Sequence, residues 1–161
     1  MIAVYPGSFD PPTVGHLDLI RRGSRLYEQL VVLIMRNPGK PGRFPLEQRV
    51  ALMQRCCAGL CNVRVETADG LMVEAVRQLG AGVMLRGLRA ESDFGPEFSL
   101  AHANLHIDPQ IETVFLMGRP EHAAVSSSVV RELGSHGCPL HGYVPEEIEA
   151  EVLACLRQSA V

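Results

Sequence analysis

Short apolar runs alternate with amphipathic stretches along the whole chain. The runs cover residues 2–5, 30–35, 63–66, 83–86 and 113–117, and the longest purely aliphatic one is Leu-Val-Val-Leu-Ile-Met at 30–35. Most are continuous rather than alternating, which predicts strands buried on both faces, as in a parallel sheet covered by helices. Between them, Leu17, Ile20 and Tyr27 mark one side of a helix over 16–29. Leu46, Val50, Met53 and Cys57 recur at helical spacing. So do Met72, Ala75, Val76 and Leu79, ahead of Gly80, a residue type that commonly ends helices. A short helix is expected over 127–133 and a last one from Pro145, with Ile148, Val152, Cys155 and Leu156 as its apolar stripe. The expected fold is α/β: a Rossmann-like, doubly wound, parallel five-stranded sheet with helices on both faces and right-handed crossovers.

The 161 residues suit a single domain over 1–161, and 47% hydrophobic with 20% charged residues is an ordinary balance for a soluble chain. No apolar run approaches the roughly 18 residues of a spanning helix. Met1-Ile2-Ala3-Val4-Tyr5 meets Pro6-Gly7 without the basic and apolar regions of a signal peptide. Five cysteines with no CxxC pair favour reduced thiols and a cytoplasmic location over a metal site or a disulfide framework. A net charge of −3 without blocks of like charge gives no general attraction to nucleic acid or a membrane. Any anionic ligand must therefore be held by a local group of cations.

In open α/β sheets ligands bind beyond the carboxyl ends of the strands, so the first strand–helix junction is the place to look. It reads Tyr5-Pro6-Gly7-Ser8-Phe9-Asp10-Pro11-Pro12-Thr13-Val14-Gly15-His16. Gly7 is expected to take a backbone turn closed to other residues, and Ser8 sets a hydroxyl beside free amides. Thr13 is a good N-cap, which brings Gly15 and His16 into the first helical turn. Helix N-termini receive phosphate; Gly15 lets it approach the backbone and His16 adds a donor. Neither GxxxxGK[ST] nor GxGxxG occurs. Asp10, before two prolines, reads as a turn former. A second anion site is expected where Ser126, Ser127 and Ser128 open a helix after the last strand. Arg86 and Arg89 bracket Gly87 and Leu88 at a strand end, with guanidinium forks suited to phosphate. Lys40 follows the second strand in a Pro/Gly-rich loop.

Taken together and in this order, these stretches resemble the bacterial phosphopantetheine adenylyltransferases, which belong to the TxGH nucleotidyltransferases. Phe44-Pro45-Leu46-Glu47-Gln48-Arg49, Gly70-Leu71-Met72, Asp93-Phe94, Glu97 and Asn104 extend the resemblance over nearly the whole chain. It implies adenylyl transfer from ATP to 4′-phosphopantetheine, giving dephospho-coenzyme A and pyrophosphate by direct in-line attack without a covalent enzyme intermediate. It implies His16 as the catalytic donor to the α-phosphate. Ser8, Lys40 and Arg86 would hold the acceptor phosphate, and Met72 would line the pantetheine arm. ATP would fall to Ser8, Phe9, His16, Gly87, Leu88, Arg89 and Glu97. His122, Ala123, Ala124, Val125 and Ser126 to Ser128 would complete its site. Mg²⁺ would ride on the triphosphate without a protein cage, as it usually does with substrate phosphates. Coenzyme A is the implied feedback inhibitor and a homohexamer the implied assembly.

Two stretches depart from the family pattern. Gly95-Pro96 stands where Glu-Tyr is usual ahead of Glu97, so the proline is expected to shift the start of that helix. His122-Ala123-Ala124 stands where an aromatic and a hydroxyl residue are usual, so a weaker adenine contact is expected there. Two alternatives stay open: a sister enzyme with another phosphate acceptor such as nicotinate mononucleotide or glycerol phosphate, and a non-catalytic nucleotide-binding module. The sister enzymes usually carry HxGH where this chain has Thr13-Val14-Gly15-His16.

Overall fold

The computed structural model describes residues 1–36, 39 and 42–158. Its five strands are β1 (Ile2–Gly7), β2 (Gln29–Arg36), β3 (Val63–Asp69), β4 (Val83–Leu88) and β5 (Glu112–Met117). They form one parallel sheet in the order β3-β2-β1-β4-β5. The helices are α1 (Val14–Leu26), α2 (Leu46–Cys57), α3 (Met72–Gln78), α4 (Glu91–Ile107), α5 (Ser127–Ser135) and α6 (Glu146–Gln158), with a 3-10 turn at Pro120–His122. No helix among the described residues is long and apolar enough to cross a membrane.

The pleat explains why the strands read as continuous apolar runs. Ala3 and Tyr5 of β1, Leu30, Val32 and Ile34 of β2, and Val83 and Leu85 of β4 pack with Leu19 and Ile20 of α1 and Met53 and Cys57 of α2. The intervening Val4, Val31, Leu33 and Met84 pack with Val73, Ala75 and Val76 of α3 on the opposite face. Both faces are covered, so neither set of positions can be polar. A further cluster joins α5 and α6 to α1 and α2 through Leu17, Leu52, Val130, Ile148, Val152 and Leu156.

The strand order reverses at β1, which places the topological switch between β1 and β4. β1 is registered with β2 over its whole length, from Ile2↔Gln29 to Gly7↔Ile34. With β4 it is registered only at Ala3↔Val83 and Val4↔Met84. Beyond Val4 the two strands part, and a crevice opens at their carboxyl ends.

One expectation about the helices fails. Pro96 does not shift the start of α4, which begins at Glu91 and runs through the proline. Asp93 fixes that start: its carboxylate accepts the N–H of Arg89 at 2.9 Å and of Ala90 at 3.3 Å. The proline removes one helical donor further along but leaves this first turn intact.

Candidate active site

The crevice widens into a cavity of about 430 Å³ walled by the β1–α1 loop, the end of β4, α4 and the start of α5. Gly7 lines it, with a reason other than the expected turn. A side chain on Gly7 would put its Cβ 2.9 Å from the Phe9 ring, so the glycine exists to let that ring lie over it. The left-handed residue is Phe9 itself, at φ 46°. A conformation this costly for a bulky residue persists only where its surroundings fix it. Phe9 is buried, stacked edge-on to Tyr5 at 5.4 Å and to His16 at 5.0 Å.

Thr13 caps α1 as expected, its Oγ1 accepting the His16 N–H at 3.3 Å. The bond is returned: the Thr13 backbone N–H donates to His16 Nδ1 at 3.1 Å. With Nδ1 an acceptor, the neutral ring carries its proton on Nε2. Burial, with the Arg89 charge second, lowers the His16 pKa to about 4. The imidazole is therefore a neutral N–H donor at the cavity wall.

Arg86 spans the gap where β1 and β4 part. Its Nη1 donates to the Pro6 carbonyl at 3.1 Å, while Nε and Nη2 grip the two oxygens of Glu97 at 2.7 and 2.6 Å. Glu97, expected at the nucleotide, is thus held by Arg86, and it is the only carboxylate among the described lining residues. Arg89, Arg119 and Arg131 also line the cavity, which is accordingly built for anions. Arg119 is paired with Asp18 at 2.9 Å.

The three serines are present at the cavity, and each hydroxyl also makes a bond within the protein. Ser126 Oγ accepts the Val129 N–H at 3.2 Å, Ser127 Oγ donates to Pro11 O at 2.8 Å, and Ser128 Oγ accepts from Arg131 at 3.1 Å. Ser126 and Ser128 only accept in these bonds, so their O–H groups stay available to an anion together with the first turn of α5.

Ser8, Phe9, Gly87, His122 and Val125 also line the cavity. Leu88, Ala123 and Ala124 do not: Leu88 is buried with its carbonyl tied to the Gly118 N–H at 2.6 Å, and the two alanines are exposed. Met72 packs against the core on the α3 face and is not brought to the cavity. Lys40 lies outside the described residues.

Three residues that sequence reasoning missed hold this arrangement together. The Asp10 carboxylate accepts the N–H groups of Arg43 and Phe44 at 2.7 and 2.8 Å. Arg49, buried, donates to the Phe44 carbonyl at 3.1 Å and the Ser8 carbonyl at 2.9 Å. Arg131 donates to the Asp10 carbonyl at 2.5 Å and so ties the β1–α1 loop to α5. Nothing in the sequence near any of the three marks its distant partner, which lies 33 residues from Asp10, 41 from Arg49 and 121 from Arg131.

The profile of the cytidylyltransferase-like family matches residues 4–133. A phosphopantetheine adenylyltransferase from Nostoc punctiforme is 46% identical over 160 residues, 99% of this chain and 87% of its own length. Its counterpart from Xylella fastidiosa is 47% identical over 158 residues, 98% of this chain and 95% of its own. The chain belongs to the phosphopantetheine adenylyltransferase family. Likeness to solved structures adds the fold: one assigned as a nicotinate-nucleotide adenylyltransferase from Vibrio parahaemolyticus superposes with a TM-score of 0.71 at 17% identity, over 98% of this chain and 95% of that one. In this phosphopantetheine adenylyltransferase family member, Gly95-Pro96 leaves the Arg86–Glu97 pair formed. Of the second departure, His122 alone reaches the cavity.

Proposed function

We propose that the chain transfers the adenylyl group of ATP to the phosphate of 4′-phosphopantetheine, forming dephospho-coenzyme A and pyrophosphate. An acceptor phosphate oxygen attacks the α-phosphorus, the bond to the β-phosphate oxygen breaks, and pyrophosphate departs with that electron pair. No enzyme nucleophile is required, because this chemistry asks mainly for positioning and charge stabilisation. The observation that carries the reading is His16: a neutral imidazole with Nδ1 tied to the Thr13 amide, leaving Nε2–H as a preset donor in a cavity walled by arginines. Such a donor favours the charge that develops on the transferred phosphoryl group.

In this reading Ser8 and Arg86 hold the acceptor phosphate together with Lys40. Phe9, Gly87, Arg89, His122 and Val125 serve ATP with the first turn of α5. Mg²⁺ comes as a substrate-borne ion. Among the described residues no group of three His, Cys, Asp or Glu converges, and Glu97 is spent on Arg86, which fits an ion held by the nucleotide's phosphates. Coenzyme A, which shares the pantetheine arm, is the proposed feedback inhibitor. A homohexamer in the cytoplasm is the proposed state. Phe94, Phe98 and Leu105, exposed on one side of α4, supply an apolar face for such assembly.

The test is pyrophosphate release from Mg-ATP with 4′-phosphopantetheine, nicotinate mononucleotide and glycerol 3-phosphate offered separately, alongside His16→Ala. Release with phosphopantetheine alone, reduced about 10²–10³-fold in the variant, is expected. Release with another acceptor would overturn the substrate, and ATP binding without release would favour a binding module.

A further inference from the structure

Tyr5 lies in the middle of the core and at the edge of the cavity at once. The pleat of β1 turns it onto the α1–α2 face, where it is 6% exposed and its ring packs against Phe9 and stands 6.5 Å from that of His16. Phenylalanine would fill such a slot, and a buried phenol normally finds a partner for its O–H. The Tyr5 hydroxyl has none among the described residues, yet it is not sealed off: it opens into the cavity.

The charged groups around it explain why no protein partner serves. Arg86, Arg89 and Glu97 are the groups that act on Tyr5. The arginines only donate, and Glu97, whose two oxygens bind Arg86, makes no hydrogen bond to the phenol. The phenol therefore faces cationic groups as a donor without an acceptor. Burial pushes its pKa well up, so it keeps its proton.

We infer that the Tyr5 hydroxyl donates a hydrogen bond to a phosphoryl oxygen of bound substrate in the crevice between β1 and β4. The inference rests on the adenylyl-transfer reading and deepens it, adding a substrate-contacting residue on the strand rather than on the loop. The phosphoryl oxygen belongs either to ATP or to the acceptor phosphate.

The experiment compares the full chain with its Tyr5→Phe variant. The ring and its packing stay, so the melting temperature should hold, while kcat/KM falls about ten- to a hundredfold, as for a lost bond to a charged group. Calorimetric titration with Mg-ATP and, separately, with 4′-phosphopantetheine distinguishes the two sources by which affinity falls. A fall in kcat with both affinities intact assigns the bond to the transition state and supports the inference equally. Unchanged turnover and affinities would overturn it, as would a loss that tracks a lowered melting temperature. A wild-type protein that binds ATP but releases no pyrophosphate would overturn adenylyl transfer instead. In that case unequal ATP affinities of the two proteins would uphold the Tyr5 contact and equal ones would overturn it.

Discussion

Removing the Glu97 carboxylate should disable Arg86 without touching it. Two of the three hydrogen bonds that hold the guanidinium go to Glu97, at 2.7 and 2.6 Å, and one goes to the Pro6 carbonyl at 3.1 Å. The side chains are 18% and 20% exposed, which puts the pair between the surface and the interior. Exposed pairs contribute about 0.2–1 kcal/mol, and breaking a buried one costs about 3–5 kcal/mol. Glu97→Ala should therefore cost about 1–3 kcal/mol of stability, a fall of roughly 3–10 °C in melting temperature for a chain of this size. The effect on turnover is separate. An Arg86 that swings free loses a hydrogen bond to a charged phosphate, about 1.5–3 kcal/mol or roughly 10–150-fold in kcat/KM. A double-mutant cycle with Arg86→Ala decides the route, measured on pyrophosphate release at temperatures where all four proteins are folded. If Glu97 acts through Arg86, its removal costs little once Arg86 is gone, and the coupling nearly equals the single effect. Additivity within about 0.5 kcal/mol, with the loss confined to the KM for ATP, would refute this and make Glu97 a direct nucleotide ligand.

Three further outcomes are expected. The His16 pKa near 4 means that turnover should carry no acid limb from this residue between pH 8 and 5. Because its unfolded value is about 6.5, the unfolded chain gains a proton there that the folded chain refuses, so His16 withdraws stability as pH falls from about 6.5 to 4. Denaturant titrations of wild type and His16→Asn across that window should show wild type losing its relative stability on acidification; parallel curves would refute the assignment. Burial pushes the Cys56 and Cys57 thiols up to about 12 and 11, whereas Cys61 is exposed. Iodoacetamide at pH 7.5 should label Cys61 well before either of the others, as mass mapping would show, and equal rates would contradict the packing of α2.

What was legible in the sequence was local or periodic. The inner strands β1, β2 and β4 could be placed because burial on both faces forbids polar positions over most of their length, and the cap at Thr13 because capping acts across three residues. What was not legible joins distant parts of the chain. Asp10 meets Phe44 across 34 residues, Arg49 meets Ser8 across 41, and Arg131 meets Asp10 across 121. Nothing near any of these residues announces its partner. Asp10 looked like a turn former because its short-range chemistry is that of one. Gly7 is ambiguous for a related reason: glycine permits both unusual backbone angles and close approach, and only the position of the Phe9 ring separates them. Among the serine hydroxyls only the bond of Ser127 to Pro11, across 116 residues, is tertiary; those of Ser126 and Ser128 reach three residues along the helix they open.

The parting of β1 from β4 has a consequence for how the chain folds. Val4 pairs with Val31 on one side and Met84 on the other, and Met84 follows Val31 by 53 residues. Closing the longer loop costs only about 1 kcal/mol more in chain entropy, so equilibrium hardly distinguishes the two pairings. Synthesis does. At about 5–20 residues per second the first strand waits roughly 3–10 s for its second neighbour after it can meet the first. During that interval the central strand of the finished sheet is an edge strand, open to the wrong chain. The β1–α1 loop hangs from its end with no opposing wall. Docking of the second half therefore closes the exposed edge and assembles the arginine-lined crevice in one event. Appearance of ATP affinity during refolding would report that docking directly.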